Sequence, residues 1–472
     1  MDKRVCVIGA GSSGIAAVQV LHERGIDFDC FEAGSEIGGN WRYLNDNGMS
    51  SAYRSLHINT SRDLMEYSSF PMPRDLPDYP NHWQIAAYFD AYVDHFGLRD
   101  RITFRTEVVK VESVPDRGEG YDVTTRTRNA HGEVSEPDVR RYTDVVVANG
   151  HHWDPRWPEP SYAGAETFPG QQLHAHYYRT PEGLAGKRVL VLGIGNSASD
   201  IAVESSRVAA ETYLAMRRGA HIIPKYLFGV PTDHLTSSPL ARGPLKVQQL
   251  GMAAMLRISQ GKVADYGLPR PDHAVLHAHP TVSDELLGRL GHGDIDVRPN
   301  IDRFEGSKVF FVDGTAAEVD VVIYCTGYKV TFPFLGERFV PVRDNRVDLY
   351  RRVVSPDHPG LYFVGLIQPL GAIMPLAEAQ AAWVADLLDG RGALPSYDEM
   401  RLQIREYDEA LAKRYVASKR HTIQVDFHAY LAELGRERRT SQERAGTAVP
   451  GLRARLSARA QRRAGAGPGP TR

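Results

Sequence analysis

An α/β protein with two dinucleotide-binding units is what this sequence predicts, and three observations predict it. An apolar strand runs into Gly9-Ala-Gly11-Ser-Ser-Gly14 and then into a helix. A second apolar strand, KRVLVL, runs into Gly193-Ile-Gly195-Asn-Ser-Ala198 and another helix. Two more segments, TDVVVANG at 143–150 and VDVVIYCTGY at 319–328, repeat a buried strand that ends in glycine. Each glycine turn lies between segments of strand and helix periodicity, as a βαβ unit requires.

The first unit reads RVCVIGAGSSG, IAAVQVLHERG, IDFDCFEAG. In such a turn the first glycine permits the tight bend and the second lets backbone approach a pyrophosphate. The third lets helix pack on strand, with the phosphates at the helix N-terminus. Glu32 ends the next strand, 18 positions after Gly14. A carboxylate there accepts hydrogen bonds from ribose hydroxyls and repels a 2′-phosphate. The expected ligand is an unphosphorylated adenosine, such as FAD or NAD. The second unit opens at KRVLVLGIGNSASDIAVE and returns through TYLAMRR, ending in Arg217 and Arg218 instead of an acid. Guanidinium groups there suit a 2′-phosphate, so this site reads as NADPH. Two sites of opposite charge preference imply electron transfer from NADPH to a flavin.

The remaining chain is read more coarsely. Residues 41–90, rich in aromatics and prolines, read as loops and short helices; 225–300 reads as irregular and partly helical; 397–434 reads as helical. At 472 residues two or three domains are expected. A formal net charge of −2 gives no field that would draw nucleic acid, and none is expected as a partner. Residues 440–472 carry seven arginines against one acid, Glu443, and read as a disordered basic tail. The strand begins almost at once, so no signal peptide is expected. The run Leu361 to Leu388 is broken by two prolines, two glycines and Glu378, and reads as strand, loop and helix rather than a membrane span. Cys6, Cys30 and Cys325 lie in strand-like segments without metal spacing. Reduced thiols, no metal and a cytoplasmic location are expected.

One further segment, FPGQQLHAHYYR, fixes Phe168, Gly170, His174 and Tyr178 just ahead of the second glycine turn. With GGNW at 38–41, NTSRDLMEYSSFP at 59–71, GIGNSASDIAVE, HPTVSDEL at 279–286, CTGY at 325–328, GLIQPLGAIMPLAEAQAAW at 365–383 and TIQVDFHAYLAEL, it makes an ordered set spanning nearly the whole chain. By these motifs the chain resembles the flavin-containing monooxygenases. The resemblance implies an FAD domain built from residues 1–153 and 321–439, with an NADPH domain, 160–320, inserted between them. VANG and CTGY would be the hinges. The FPGQQLHAHYYR segment would shape that junction, and His174 would be a packed structural histidine rather than an acid–base catalyst.

The implied activity is NADPH-dependent insertion of one oxygen atom from O2 into a soft nucleophile, a tertiary amine or a thioether, through a C4a-hydroperoxyflavin. Such a species needs neutral hydrogen-bonding groups and exclusion of water. Asn59 matches the family's active-site asparagine, and Asn196 is a second amide near the nicotinamide; these are the expected catalytic residues. Gly9, Gly11, Ser13, Gly14, Glu32, Asn40, Trp41, Asn59, Thr60 and Gln380 are expected to bind FAD. Gly193, Gly195, Asn196, Ser197, Ala198, Arg217 and Arg218 are expected to bind NADPH. Tyr53, His57 and Tyr328 read as core aromatics.

Baeyer–Villiger relatives, which act on ketones, usually carry tryptophan where this chain has Tyr178, so heteroatom oxygenation is favoured. A reductase of the disulfide kind lacks its C-x-x-C here. Oxidative decarboxylation of indole-type keto acids, an NADPH oxidase, a reductase of the ferredoxin-reductase kind and a non-catalytic NADPH sensor stand as further alternatives. Membrane-bound relatives end in an apolar anchor, whereas this chain ends in AGAGPGPTR. Dimers are common in the family, so a homodimer is among the expectations.

Overall fold

The computed structural model describes residues 3–114, 120–237, 244–337, 339–414 and 421–446. Two five-stranded parallel sheets organise it. The first has the order Leu361–Phe363, Asp144–Val147, Arg4–Ile8, Asp27–Phe31, Ile102–Thr103. The second has the order Asp296–Arg298, Glu211–Ala215, Arg188–Leu192, Val321–Tyr324, Gln171–His174. In each, the strand before the glycine turn is central and connections leave it to both sides. That arrangement opens a crevice at the carboxyl ends of the strands. Val5, Cys6 and Val7 are fully buried, as are Val189, Leu190 and Val191, because a central parallel strand is covered on both faces.

Behind the first sheet, helix Ser12–Glu23 packs on helix Met374–Leu388, which in turn packs on Phe427–Arg444. Trp383 is fully buried in this layer. Asp386, also fully buried, is neutralised by Arg24 at 2.9 Å and Arg438 at 2.5 Å, with Gln442 donating at 2.8 Å. The C-terminal helix is thereby locked to the first helix of the chain.

Several expectations shift. Strand Val321–Tyr324 belongs to the second sheet, so the boundary expected at 320/321 falls one strand early. The VANG strand, Asp144–Val147, lies inside the first sheet, and CTGY follows a strand of the second. The two crossings pair with each other just beyond, where Asp154–Pro155 runs antiparallel to Tyr328–Lys329. Residues 440–444 continue the helix Phe427–Arg444, because Ser441 is buried against Ala393; residues 447–472 of the expected tail lie outside the described residues. Two antiparallel sheets, Thr106–Ser113 with Tyr121–Thr127 and Asp138–Tyr142, and Ile301–Glu305 with Lys308–Phe311 and Ala316–Glu318, were not anticipated. Within 41–90 the helix His82–His95 runs for 14 residues, opened by a capping box of Asn81 and Gln84. Among the described residues no helix is long and apolar enough to cross a membrane.

Candidate functional site

The first glycine turn is a backbone cradle. Gly9 holds φ +97°, and a Cβ there would lie 2.9 Å from the Ala148 carbonyl oxygen. A Cβ on Gly14 would lie 1.9 Å from the Gly9 oxygen, which is why helix and strand approach so closely here. Gly11 differs: its Cβ would meet nothing nearer than 3.6 Å. The free face there is the face a ligand would need. Gly11 caps helix Ser12–Glu23 without any side-chain hydrogen bond, so the first-turn N–H groups are available to an anion. The second turn repeats this geometry. Gly193 has φ +139° with a Cβ position 2.8 Å from the Cys325 oxygen, and Gly195 caps Asn196–Ser205 without a side-chain partner. Ala198, which stands in the third position of the turn, is fully buried.

The two turns share one register, and it explains their different charges. Gly9 N–H donates to Phe31 O at 2.8 Å, and Gly193 N–H donates to Ala215 O at 2.8 Å. Glu32 therefore follows the anchoring residue directly. Its counterpart is Met216, with Arg217 and Arg218 one and two places further on. Both arginines are exposed, and Arg218 makes only a loose ion pair with Asp272, 3.7 Å away.

A cavity of about 1000 Å³ begins at the first turn and crosses to the second domain. Gly9, Gly11, Ser13, Glu32, Asn40, Trp41, Asn59 and Thr60 line it from the first domain. Asn196, at the N-terminus of the second turn's helix, lines it too. Ile223, Met252, Val282 and Phe427 add apolar wall. The uncapped N-terminus, the open face of Gly11 and this volume fit a dinucleotide such as FAD.

Glu32 is buried and accepts from Ala10 N at 2.7 Å, Gly34 N at 2.8 Å and Asn47 Nδ2 at 3.2 Å. Burial pushes its carboxyl up, and these three bonds pull against that. Asn40 Oδ1 accepts from the N–H and hydroxyl of Ser51, fixing the GGNW turn. Trp41 lines the cavity and also packs on the first core. Asn59 is half-buried, and its amide has no hydrogen-bond partner among the described residues. It does not cap a local turn. Asn196 Oδ1 accepts from Val282 N at 2.9 Å, leaving its NH2 group to donate.

Gln380 is a correction. It is fully buried in the second turn of Met374–Leu388 and does not reach the cavity. Its Oε1 accepts from Gly365 N and its Nε2 donates to Tyr430 Oη, both at 2.8 Å. Gly365 itself lines the cavity, so Gln380 supports the wall from behind. Gly14, Gly193, Gly195, Ser197, Ala198, Arg217 and Arg218 also lie outside this cavity, four of them on the second domain's own glycine turn and the two arginines past the end of its next strand.

The FPGQQLHAHYYR segment forms the edge strand Gln171–His174 of the second sheet. Phe168 packs on Phe304, and a Cβ on Gly170 would strike the Phe168 ring at 2.5 Å. His174 is fully buried, accepts from His176 N at 3.0 Å, and is flanked by Trp157 and Tyr328. Burial drives its pKa down to about 4, so the ring is neutral, in keeping with a structural role. Tyr178 donates to Glu204 and Tyr53 to Asp200, tying this corner to helix Asn196–Ser205. Asp200, buried beside Tyr53, is pushed up to about 6. Tyr53 is core as expected; His57 instead lies exposed at the cavity wall, and Tyr328 is half-buried at the domain crossing.

Sequence reasoning missed His151, Lys225, Asp233 and Gln368, all in the cavity wall. His151, just after the VANG strand, is driven down to about 4 by burial. Lys225 is lowered by burial, and its ammonium stands 5.0 Å from the Tyr79 ring centre. A strand ending in glycine at the crevice was a usable signal for His151. Lys225 and Asp233 had none, since they come from the irregular stretch after 225.

A family model described as flavin-binding monooxygenase-like matches residues 2–441. The flavin-containing monooxygenase 5 of Oryctolagus cuniculus is 39% identical over 443 residues, 92% of this chain and 82% of that protein. The dimethylaniline monooxygenase [N-oxide-forming] 2 of the same organism is 36% identical over 451 residues, 93% of this chain and 83% of its own length. Among solved structures, an S-allyl-L-cysteine S-oxygenase from Allium sativum superposes with a TM-score of 0.68 at 26% identity, covering 98% of both chains. With this agreement over nearly all its length, the chain belongs to the flavin-binding monooxygenase family.

Proposed function

We propose that the protein is an NADPH- and FAD-dependent monooxygenase that transfers one oxygen atom from O2 to a soft nucleophile, a tertiary amine nitrogen or a thioether sulfur. The observation that carries this reading is that one cavity is lined by the first glycine turn, by Asn196 and by Asn59, whose amide has no hydrogen-bond partner among the described residues. The names of the N-oxide-forming and S-oxygenase relatives support the heteroatom choice.

FAD, once reduced by NADPH, supplies the activation of oxygen. The chain's residues do the rest. The uncapped N–H groups after Gly11 and the Glu32 carboxylate hold the pyrophosphate and ribose of FAD, and Asn40, Trp41 and Thr60 flank it. Gly193, Gly195, Ser197 and Ala198 form the corresponding turn for NADPH, and Arg217 and Arg218 receive its 2′-phosphate. Asn59 offers a neutral donor and acceptor at the reacting centre, and Asn196 offers its NH2 group from the other side. Burial drives His151 down to about 4, so near neutral pH it faces the cavity uncharged, with one ring N–H and one bare nitrogen. A cytoplasmic location, supported by three unpaired cysteines, and a homodimeric assembly are part of the same proposal.

The test is to reduce the flavin-loaded protein with NADPH without oxygen and then add aerated buffer containing a tertiary amine, a sulfide or a ketone. One N-oxide or sulfoxide per NADPH is expected. Ester or lactone from the ketone in preference would establish the Baeyer–Villiger alternative. Hydrogen peroxide alone, whatever the substrate, would overturn oxygenation in favour of an oxidase.

A further inference from the structure

We propose that Asp233 and His234 form a two-point clamp through which the second domain sets the position of Asn59. The clamp rests on the function proposed above for its consequence, though not for its geometry. Ser61, two residues beyond Asn59, is 1% exposed and opens the short helix Arg62–Met65. Its own side chain makes no capping bond to that helix. Its N–H and hydroxyl turn instead to helix Thr232–Ser237: the N–H donates to Asp233 Oδ2 at 2.5 Å, and the Oγ lies 3.0 Å from His234 Nε2. A hydrogen bond to an ionised acceptor is roughly twice as strong as a neutral one.

The clamp belongs to a strap that leaves the second domain after Ile222–Ile223 and crosses to the first. Tyr226 donates to Asp78 at 2.8 Å, Tyr79 donates to the Lys225 carbonyl at 2.7 Å, and the Tyr79 and Tyr226 rings meet edge to face at 5.5 Å. Thr232 closes the strap on itself, its N–H and hydroxyl bonding Lys225 O and Pro224 O. Lys225 and Asp233 face the same cavity as Asn59 and Thr60. The backbone that carries Asn59 is thus gripped from outside its own domain. A shift of the second domain moves the amide relative to the first glycine turn. Asp233 is a positioning residue in this arrangement, since it acts on Asn59 through Ser61.

The experiment compares Asp233→Ala, Asp233→Asn and Ser61→Ala in the flavin-loaded protein by amide hydrogen exchange and by product partition. In Asp233→Ala, exchange of the Ser61 amide should rise at least about tenfold, as loss of a charge-assisted hydrogen bond implies. The share of NADPH equivalents lost as hydrogen peroxide should rise severalfold, while flavin reduction by NADPH stays within about twofold. Asp233→Asn keeps an acceptor for the Ser61 N–H and should restore most of both. Ser61→Ala, which removes only the His234 contact, should show a smaller rise in peroxide, and it serves if Asp233→Ala fails to fold. Unchanged exchange overturns the clamp, and raised exchange with unchanged partition overturns its role in positioning Asn59. A wild-type protein yielding only peroxide would sink the oxygenase reading, while the exchange measurement would still decide the clamp.

Discussion

Replacing Gln380 with leucine separates support of the cavity wall from contact with the cofactor. The two side chains are close in volume, so little cavity is created. The Gly365 N–H loses its acceptor at 2.8 Å. Tyr430 loses a donor to its hydroxyl but still donates to the Arg351 carbonyl at 2.6 Å, so that end is nearly neutral. The cost is therefore one orphaned backbone N–H, about 1–3 kcal/mol. A central value of about 2 kcal/mol lowers the folded-to-unfolded ratio roughly thirtyfold. Gly365 has little room to relax, because a Cβ there would sit 1.9 Å from Ser13 Oγ, in the first turn of helix Ser12–Glu23. Urea unfolding of Gln380→Leu should show a lowered midpoint with an unchanged slope, and flavin affinity should weaken with it. Lost flavin at full stability would mean that Gln380 touches the cofactor directly. A variant unchanged in both would refute the hydrogen-bond account.

Gly14→Ala should give protein without flavin, because the methyl cannot share space with the Gly9 carbonyl; flavin absorbance after purification reads this directly. Arg217→Ala with Arg218→Ala should lower kcat/KM for NADPH by about tenfold or more, as expected for charge-assisted bonds to a phosphate, and leave NADH almost untouched. An unchanged NADPH-to-NADH ratio would remove the arginines from that site. His174→Gln should alter acid stability but not the pH profile of turnover. With its pKa near 4 in the fold against 6.5 ordinarily, His174 costs nothing above pH 6.5. As pH falls from 6.5 toward 4 the unfolded chain takes up a proton that the fold refuses, and stability drops by up to about 3 kcal/mol. Glutamine removes that part of the acid loss, measurable as a flatter dependence of the unfolding midpoint on pH.

What the sequence made legible was local, and what it hid was assembled from a distance. Both glycine turns could be read because the conformations of Gly9 and Gly193 are demanded within a few residues, by strand and helix on either side. The opposite charges of Glu32 and Arg217 were readable for the same reason, being tied to their turns by strand register. The sheet Thr106–Ser113 also carried a local signal, with buried Thr106, Val108 and Val111 spaced by exposed residues, but a bulge between Val108 and Lys110 breaks the period. Gln380 shows the limit. It was expected to bind FAD, yet the fold buries it against Tyr430, fifty residues onward, in the segment TIQVDFHAYLAEL. Asp233 lay further out of reach, since its partner Ser61 is 172 residues away and neither belongs to a motif with a periodic signature. The two glycine turns are thus written in short stretches of chain. The cavity wall from Lys225 and Asp233 is made where the second domain meets the first, and that meeting is a property of packing between segments no local pattern connects.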